Sequence, residues 1–258
     1  MANKTIDTKQ GHWILAKMGK KVLRPGGKEL TLKLINNLEI NANDDIVEFA
    51  PGLGFTASLA LKNNPKTYTG VELNEEAASV LRKKIEGNDR KIIIGNAADS
   101  KLEANSFTKV YGEAMLTMQA DHRKSEIIKE AHRILKKGGL YGIHELGLTP
   151  DTLDENTKAK IQKELAQVIK VNARPLTVNE WSDLIEKEGF SILKTETNSM
   201  HLLEKKRMIE DEGFFRTLKI AFNILTHPQE RKRILAMQKV FRKNQKHLNA
   251  ISIIAKKE

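Results

Sequence analysis

The segment Val47-Glu48-Phe49-Ala50-Pro51-Gly52-Leu53-Gly54 carries an apolar run into a turn with two glycines. Glycine has no Cβ, so a ligand can approach the backbone closely there. Glu72 lies 18 residues beyond Gly54, at the end of a second apolar run. An acid so placed can accept hydrogen bonds from both hydroxyls of a ribose, which points to a nucleoside cofactor. A dinucleotide is compatible with Gly52-Leu53-Gly54-Phe55-Thr56-Ala57, whose last position is small. Glu48 argues for the other class of nucleoside cofactor. A carboxylate at the end of the first strand disfavours a pyrophosphate and suits an amino-acid ammonium and a sulfonium. Acid–base candidates lie further along: Glu113 after a fourth strand, His144 and Glu145 at the end of a fifth. Histidine changes charge near neutral pH, so His144 is the first general-base candidate, with a hydrogen-bonded structural histidine as the alternative. The histidines are scattered, so no metal site is expected. The absence of cysteine excludes disulfides, zinc–thiolate sites and cysteine nucleophiles.

These residues need a scaffold, and the hydropathy pattern supplies one. Two helices are expected first, over Lys9 to Leu23 and Lys28 to Leu38, with Arg24-Pro25-Gly26-Gly27 between them. Strands are expected at Ile46–Ala50, Thr67–Val71, Lys91–Ile94, Phe107–Tyr111 and Leu140–His144. Helices alternate with them at Phe55–Lys62, at Asn74–Glu86 with Asn74 as cap, and at His122–Leu135. Short apolar strands alternating with helices predict a parallel sheet covered on both faces, wound right-handed. Beyond it, Thr152 to Val171 reads as a helix with a Thr152/Glu155 capping box. Thr177 and Glu180 form a second box, opening a helix that stops at Gly189. Phe190–Asn198 and Ala250–Ala255 are strands, and 204–247 reads as two helices broken near His227-Pro228.

The chain has 258 residues, 40% hydrophobic and 30% charged, with a net charge of +11. No apolar run approaches the ~18–20 residues that span a bilayer. The N-terminus MANKTIDTKQGHW has no apolar leader, so a cytoplasmic protein is expected. Residues 201–258 hold 14 basic and 6 acidic side chains, concentrating the basic excess at the end. Such a stripe binds nucleic acid, anionic lipid or an anionic substrate, or is a solvated helix face.

The ordered motifs resemble the class I S-adenosylmethionine-dependent methyltransferases, in particular the small-molecule branch that includes ubiquinone-type methyltransferases. Glu48 to Gly54 resembles the family's acid followed by G-x-G-x-G, with Ala50 where glycine is usual. Glu72 matches the ribose-binding acid, and Gly95-Asn96-Ala97 resembles the G-D-A segment near the adenine amino group, with Asn96 for Asp. Phe107 to Tyr111 resembles the F-D-x-V strand. Glu130 to Gly139 resembles E-x-x-R-V-L-K-P-G-G, with Lys137 for proline.

The resemblance implies an α/β fold: a Rossmann-like, doubly wound, mostly parallel seven-stranded sheet with an antiparallel last strand. N-terminal helices and helical insertions would form a cap. Residues 1–40 would be the N-terminal helical cap and 41–150 the cofactor-binding core. Residues 151–258 would complete the core and insert lids at about 152–175 and 204–247. Expected S-adenosylmethionine contacts are Glu48, Ala50, Gly52, Gly54, Glu72, Leu73, Asn96, Ala97 and Glu113, with His144, Glu113 and Glu145 as catalytic candidates.

The N-terminal group His12, Trp13, Lys17, Lys20, Lys21 and Arg24 would close over the cofactor or form a packed helix with a basic outer face. Met208, Phe214, Phe215, Phe222, Met237 and Phe241 could line an acceptor pocket, although helical spacing favours ordinary core packing for most. The expected acceptor is a small molecule. Methylation of RNA, a non-catalytic interaction role and nicotinamide-dependent oxidoreduction stay open. Gly112-Glu113-Ala114-Met115 stands where base-amine methyltransferases carry an N/D-P-P-Y/F/W tetrapeptide, which counts against RNA.

Overall fold

A computed structural model describes residues 10–85 and 87–258. The strands are β1 (Asp45–Phe49), β2 (Thr67–Glu72), β3 (Arg90–Ile94), β4 (Phe107–Glu113), β5 (Leu135–Leu148), β6 (Leu176–Thr177), β7 (Phe190–Ser199) and β8 (Leu248–Lys257). The sheet runs β3-β2-β1-β4-β5-β8-β7, with the two-residue β6 beside β5. β1 to β5 are parallel, and β8 is antiparallel to both β5 and β7. In β1, Ile46, Val47, Glu48 and Phe49 are all buried, as expected of a central strand with helices on both faces.

Chain order reverses at β1, which has β2 on one side and β4 on the other. A crevice opens beyond the C-terminal strand ends at such a point. Register brings Phe49 beside Val71 and Gly112, and Glu113 beside His144. The acids of the sequence motifs thus converge on one end of the sheet.

The helices are α1 (Gly11–Lys17), α2 (Gly27–Asn37), α3 (Phe55–Ala60), α4 (Glu75–Lys84), α5 (Asp121–Ile134), α6 (Glu155–Ile169), α7 (Val178–Lys187), α8 (Lys205–Glu212), α9 (Phe214–Thr226) and α10 (Pro228–Lys243). One apolar cluster joins Leu34 and Ile35 of α2, Ala57 of α3 and Leu81 of α4 to Ile46 and Tyr68 on one sheet face. Another joins Ile127 and Ile128 of α5 and Trp181 of α7 to Val47, Val110 and Ile143. A third lies off the sheet. There Ile14 and Leu15 of α1, Ile161 and Leu165 of α6, Ile220 of α9, and Ile234 and Met237 of α10 pack together with Leu146 and Leu148 of β5.

Several local expectations are corrected. The first helix ends at Lys17 rather than Leu23, and its expected start at Lys9 lies outside the described residues, as does Glu86. Gly19 has φ +101, its N–H bonds Ala16 O, and Lys20 N–H bonds Leu15 O, a paired closure that stops the helix. The Thr152/Glu155 box does not form. Asp154 caps α6 instead, accepting from Thr157 N–H at 2.9 Å, because its carboxylate stands immediately before the helix. The Thr177/Glu180 box does form, and Asn74 caps α4. The 204–247 region is three helices, with a break at Gly213 as well as at His227. No described helix is long and apolar enough to cross a membrane.

Candidate active site

The turn after β1 sets the floor of the site. Ala50 N–H bonds Val71 O at 2.9 Å, and Gly52 N–H bonds Glu72 Oε2 at 2.9 Å. Asn74 N–H bonds the other oxygen, Glu72 Oε1, at 2.9 Å. Glu72 therefore fastens the glycine turn to the end of β2. Each carboxylate oxygen keeps acceptor capacity beyond one such bond. Gly54, at φ +74, sits where a Cβ would run into Leu81 Cδ1, so backbone conformation and helix packing explain that glycine. Gly52, at φ +55, meets nothing within 4 Å at the equivalent point and borders the cavity. Its open face is the one a ligand can reach. Ala50 also has a positive φ, +51, and bears the Cβ that disfavours it.

Glu113, at the end of β4, joins the floor to the N-terminal loop. Its carboxylate receives Arg24 Nη1 and the Thr56 hydroxyl, and Arg24 also reaches the Thr56 oxygen. The Arg24 guanidinium lies 5.1 Å from the centre of the Phe55 ring. The Glu113 side chain is largely buried, 4% exposed, which alone would raise its pKa. Arg24, His144 and Thr56 overcome that and hold it down at about 2.

His144 Nδ1 lies 2.6 Å from Glu113 Oε1, and Nε2 lies 2.6 Å from Pro25 O. Both ring nitrogens are thus engaged by neighbouring oxygens. The ring is inaccessible and outside the cavity lining. Held between these two partners and away from the cavity, it cannot meet a substrate there, so the general-base expectation for His144 gives way to the structural reading. Glu145 is also buried. It accepts Met115, Leu116 and Thr117 N–H and the Thr117 hydroxyl, at 2.7 to 3.0 Å. Burial raises its pKa despite these bonds. Glu145 thus shapes the turn after β4 without bordering the cavity.

Glu48 points beneath the floor. It accepts the Tyr68 hydroxyl at 2.7 Å and the Tyr111 hydroxyl at 3.0 Å. Burial pushes its pKa up to about 7. Its side chain supports β1 between β2 and β4 and is not part of the cavity wall.

The cavity is about 290 Å³. Its floor comprises Ala50 to Leu53, Phe55, Glu72, Glu113 to Met115, Thr117 and Met118. Its roof comprises His12, Trp13 and Leu15, then Leu165, Ile169 and Val171, then Met200, Leu202, Met237 and Phe241, with Lys21 and Arg24 at its polar side. Buried acids hold the N-terminal loop against α8. Glu212 accepts Lys21 and Val22 N–H, each at 2.8 Å, and Asp211 accepts Lys28 N–H at 2.8 Å.

Of the expected cofactor residues, Ala50, Gly52, Glu72 and Glu113 line this cavity, and Glu48, Gly54, Leu73, Asn96 and Ala97 do not. Leu73 is 72% exposed beside Glu72. Asn96 follows β3 and accepts Ala98 N–H at 3.0 Å. Gly95 N–H bonds Glu72 O at 3.0 Å, so these residues flank the cavity floor on its outer side. Among the aromatic and methionine candidates, Met237 and Phe241 reach the cavity, whereas Phe214, Phe215 and Phe222 face solvent. Met118, Leu165, Ile169 and Met200 were not anticipated, because their meeting depends on how distant helices pack. His12 is the described histidine in the lining, and its ring centre lies 5.0 Å from that of Trp13. Among the described residues, no group of three or more acids and histidines could hold a metal.

Comparison with known proteins places this site in a family. Residues 47–143 match the model of a methyltransferase domain. An uncharacterized protein of Haemophilus influenzae is 35% identical over 251 residues, covering 96% of this chain and 98% of that protein. The phosphoethanolamine N-methyltransferase of Plasmodium falciparum is 21% identical over 218 residues, 78% of this chain and 82% of that one. A Haemonchus contortus phosphoethanolamine N-methyltransferase 2, solved with S-adenosyl-L-methionine, shares the fold with a TM-score of 0.73 at 19% identity, covering 99% of this chain and 58% of that one. With its glycine turn, strand-end acid and sheet order, the chain belongs to the class I S-adenosylmethionine-dependent methyltransferases, and is an enzyme that uses S-adenosylmethionine.

Proposed function

We propose that this enzyme methylates a small, largely apolar acceptor held between the strand ends and the helices above them. The observation that carries this reading is the cavity itself, with backbone, acids and cations on one side and Leu, Ile, Met, Phe and Trp on the other. A site of this kind suits a small organic ligand. The residues present also fit the cofactor. Gly52 offers an open backbone face, and Glu72 would accept from the ribose hydroxyls. Lys21 and Arg24 supply positive charge for the amino-acid carboxylate, and Glu113 supplies negative charge nearby. Leu73, Asn96 and Ala97 would extend the site outward for the adenine. The bound cofactor supplies an electrophilic methyl group on a sulfonium.

The chain's own contribution is position and dryness. Helices α1, α6 and α10 act as the cap that excludes water. Glu113 works as a positioning residue, fixing Arg24 and, through His144, the Pro25 carbonyl. An acceptor that must lose a proton would give it to His12 rather than His144, because His12 borders the cavity. An oxygen or carbon nucleophile would need such help more than a thiol or amine.

The test is transfer of a labelled methyl group from S-adenosylmethionine into phenols, amines, thiols and RNA. Turnover of an apolar small molecule, lowered by His12→Ala for phenols more than for thiols, supports the proposal. Turnover of RNA alone contradicts it.

A further inference from the structure

Helix α9 is turned the wrong way for a helix that serves only the core. Phe214, Leu218, Phe222 and Leu225, with Phe215 beside them, are between 52% and 85% exposed. Spaced at i, i+4, i+8 and i+11, they form a continuous arc spanning roughly 120° of the helix surface. The opposite side holds α9 in place: Ile220 is buried, Asn223 donates to Met18 O at 2.9 Å, and Arg216 donates to Gly19 O at 3.2 Å. The helix is therefore anchored through its more polar side and offers its phenylalanines to the outside. The usual arrangement is the reverse.

The charge along α9 and α10 is one-sided. From Phe214 to Lys243, eight lysines and arginines face a single acid, Glu230, and that acid pairs with Lys17 at 2.6 Å. Lys219 borders the arc on α9, and Arg231, Lys232 and Lys239 are exposed on the adjoining α10; on α8, Lys205 and Lys206 are exposed beside one exposed acid, Glu210, which faces Arg207 at 3.7 Å, while the Asp211 and Glu212 side chains are buried. An apolar helix face ringed by cations matches the boundary between acyl chains and anionic headgroups. We propose that α9 docks this enzyme on an anionic lipid surface, its phenylalanines and leucines entering the headgroup boundary while the surrounding cations meet lipid phosphates. A second copy of the chain fits the patch less well, since a self-complementary contact would set two basic rims against each other. Nucleic acid would use the cations, but the aliphatic Leu218 and Leu225 offer it no stacking surface. The inference does not depend on which acceptor is methylated.

The experiment is vesicle flotation of the full chain, with phosphatidylcholine alone and with phosphatidylcholine containing phosphatidylglycerol. Two surface variants accompany it, Phe215→Ser/Phe222→Ser and Lys219→Glu/Arg231→Glu/Lys232→Glu, with folding checked by circular dichroism and by S-adenosylmethionine titration. The wild type is expected to float with the anionic vesicles, less so at high salt. Each variant should lower that partition at least about tenfold. Phe215→Trp should shift its emission to the blue only with anionic vesicles, giving a readout that does not depend on the multiple variants. Failure to float with anionic vesicles overturns the proposal, as does flotation that the serine variant leaves unchanged. A dimer in sedimentation that the serine variant dissolves, without flotation, would assign the face to a second copy. RNA binding without flotation would assign the cations to nucleic acid.

Discussion

The floor of the cavity is made of strand ends and turns held by backbone hydrogen bonds, whereas its roof is made of helices held to one another by side-chain packing. In the floor, Glu72 and Glu145 each receive two or more main-chain N–H groups, so the turns have little freedom. In the roof, Leu15, Leu165 and Met237 come from three separated helices and share one apolar cluster. The floor is thus suited to a ligand of fixed shape, and the roof to one that varies. A cofactor common to a family belongs on the first surface, an acceptor particular to one enzyme on the second.

That contrast can be broken where the two parts meet. Glu113→Ala would leave the Arg24 guanidinium without its buried counter-ion and the His144 ring without its Nδ1 partner, and should destabilise the fold by about 3–5 kcal/mol in urea unfolding. A change confined to the roof should separate stability from cofactor binding. Leu165→Ala removes a fully buried side chain, so a loss of about 2–5 kcal/mol is expected with little change in S-adenosylmethionine affinity by calorimetry. A comparable loss of cofactor affinity would mean that roof and floor are one unit.

Glu113 in the floor and Glu48 beneath it respond oppositely to pH. Glu113 lies at about 2 in the folded chain against an ordinary 4.5. Its stabilisation, of order 3 kcal/mol, is complete above pH 4.5 and disappears as pH falls through 2. Glu48 is raised to about 7 from the same ordinary value. The stability linked to its protonation is complete below pH 4.5 and is lost as pH rises through 7. Glu48→Gln should therefore gain roughly 1–3 kcal/mol over the wild type near pH 8, a gain that fades in acid. Unfolding curves across pH would check both signs. The smallest effect is expected at Ala50, whose positive φ disfavours a Cβ. Ala50→Gly should raise stability by up to about 1 kcal/mol, since relief of strain outweighs the added chain entropy.

The same division governs what could be read from the residues. The spacing from Gly54 to Glu72, the Asn74 cap and the strand rhythm are local, and the glycine turn and the parallel sheet covered on both faces follow from them. The roles of His144 and Glu145 were not local. Each side chain is claimed by a partner about 30 residues away or more: His144 by Glu113 and the Pro25 carbonyl, Glu145 by the turn after β4. The apolar period of α9 was visible, but periodicity marks a face without saying what covers it. The helix ends at Gly19 and Gly213 were missed because a continuing apolar pattern outweighed a single glycine.

The most direct test is calorimetric titration of S-adenosylmethionine into the wild type and into Glu72→Ala. Saturable binding that weakens by about ten- to a hundredfold in the variant, as losing hydrogen bonds to a charged acceptor predicts, is the expected result. Equal affinity in a folded variant, or no binding by the folded wild type, would contradict the assignment of the cavity floor to the cofactor.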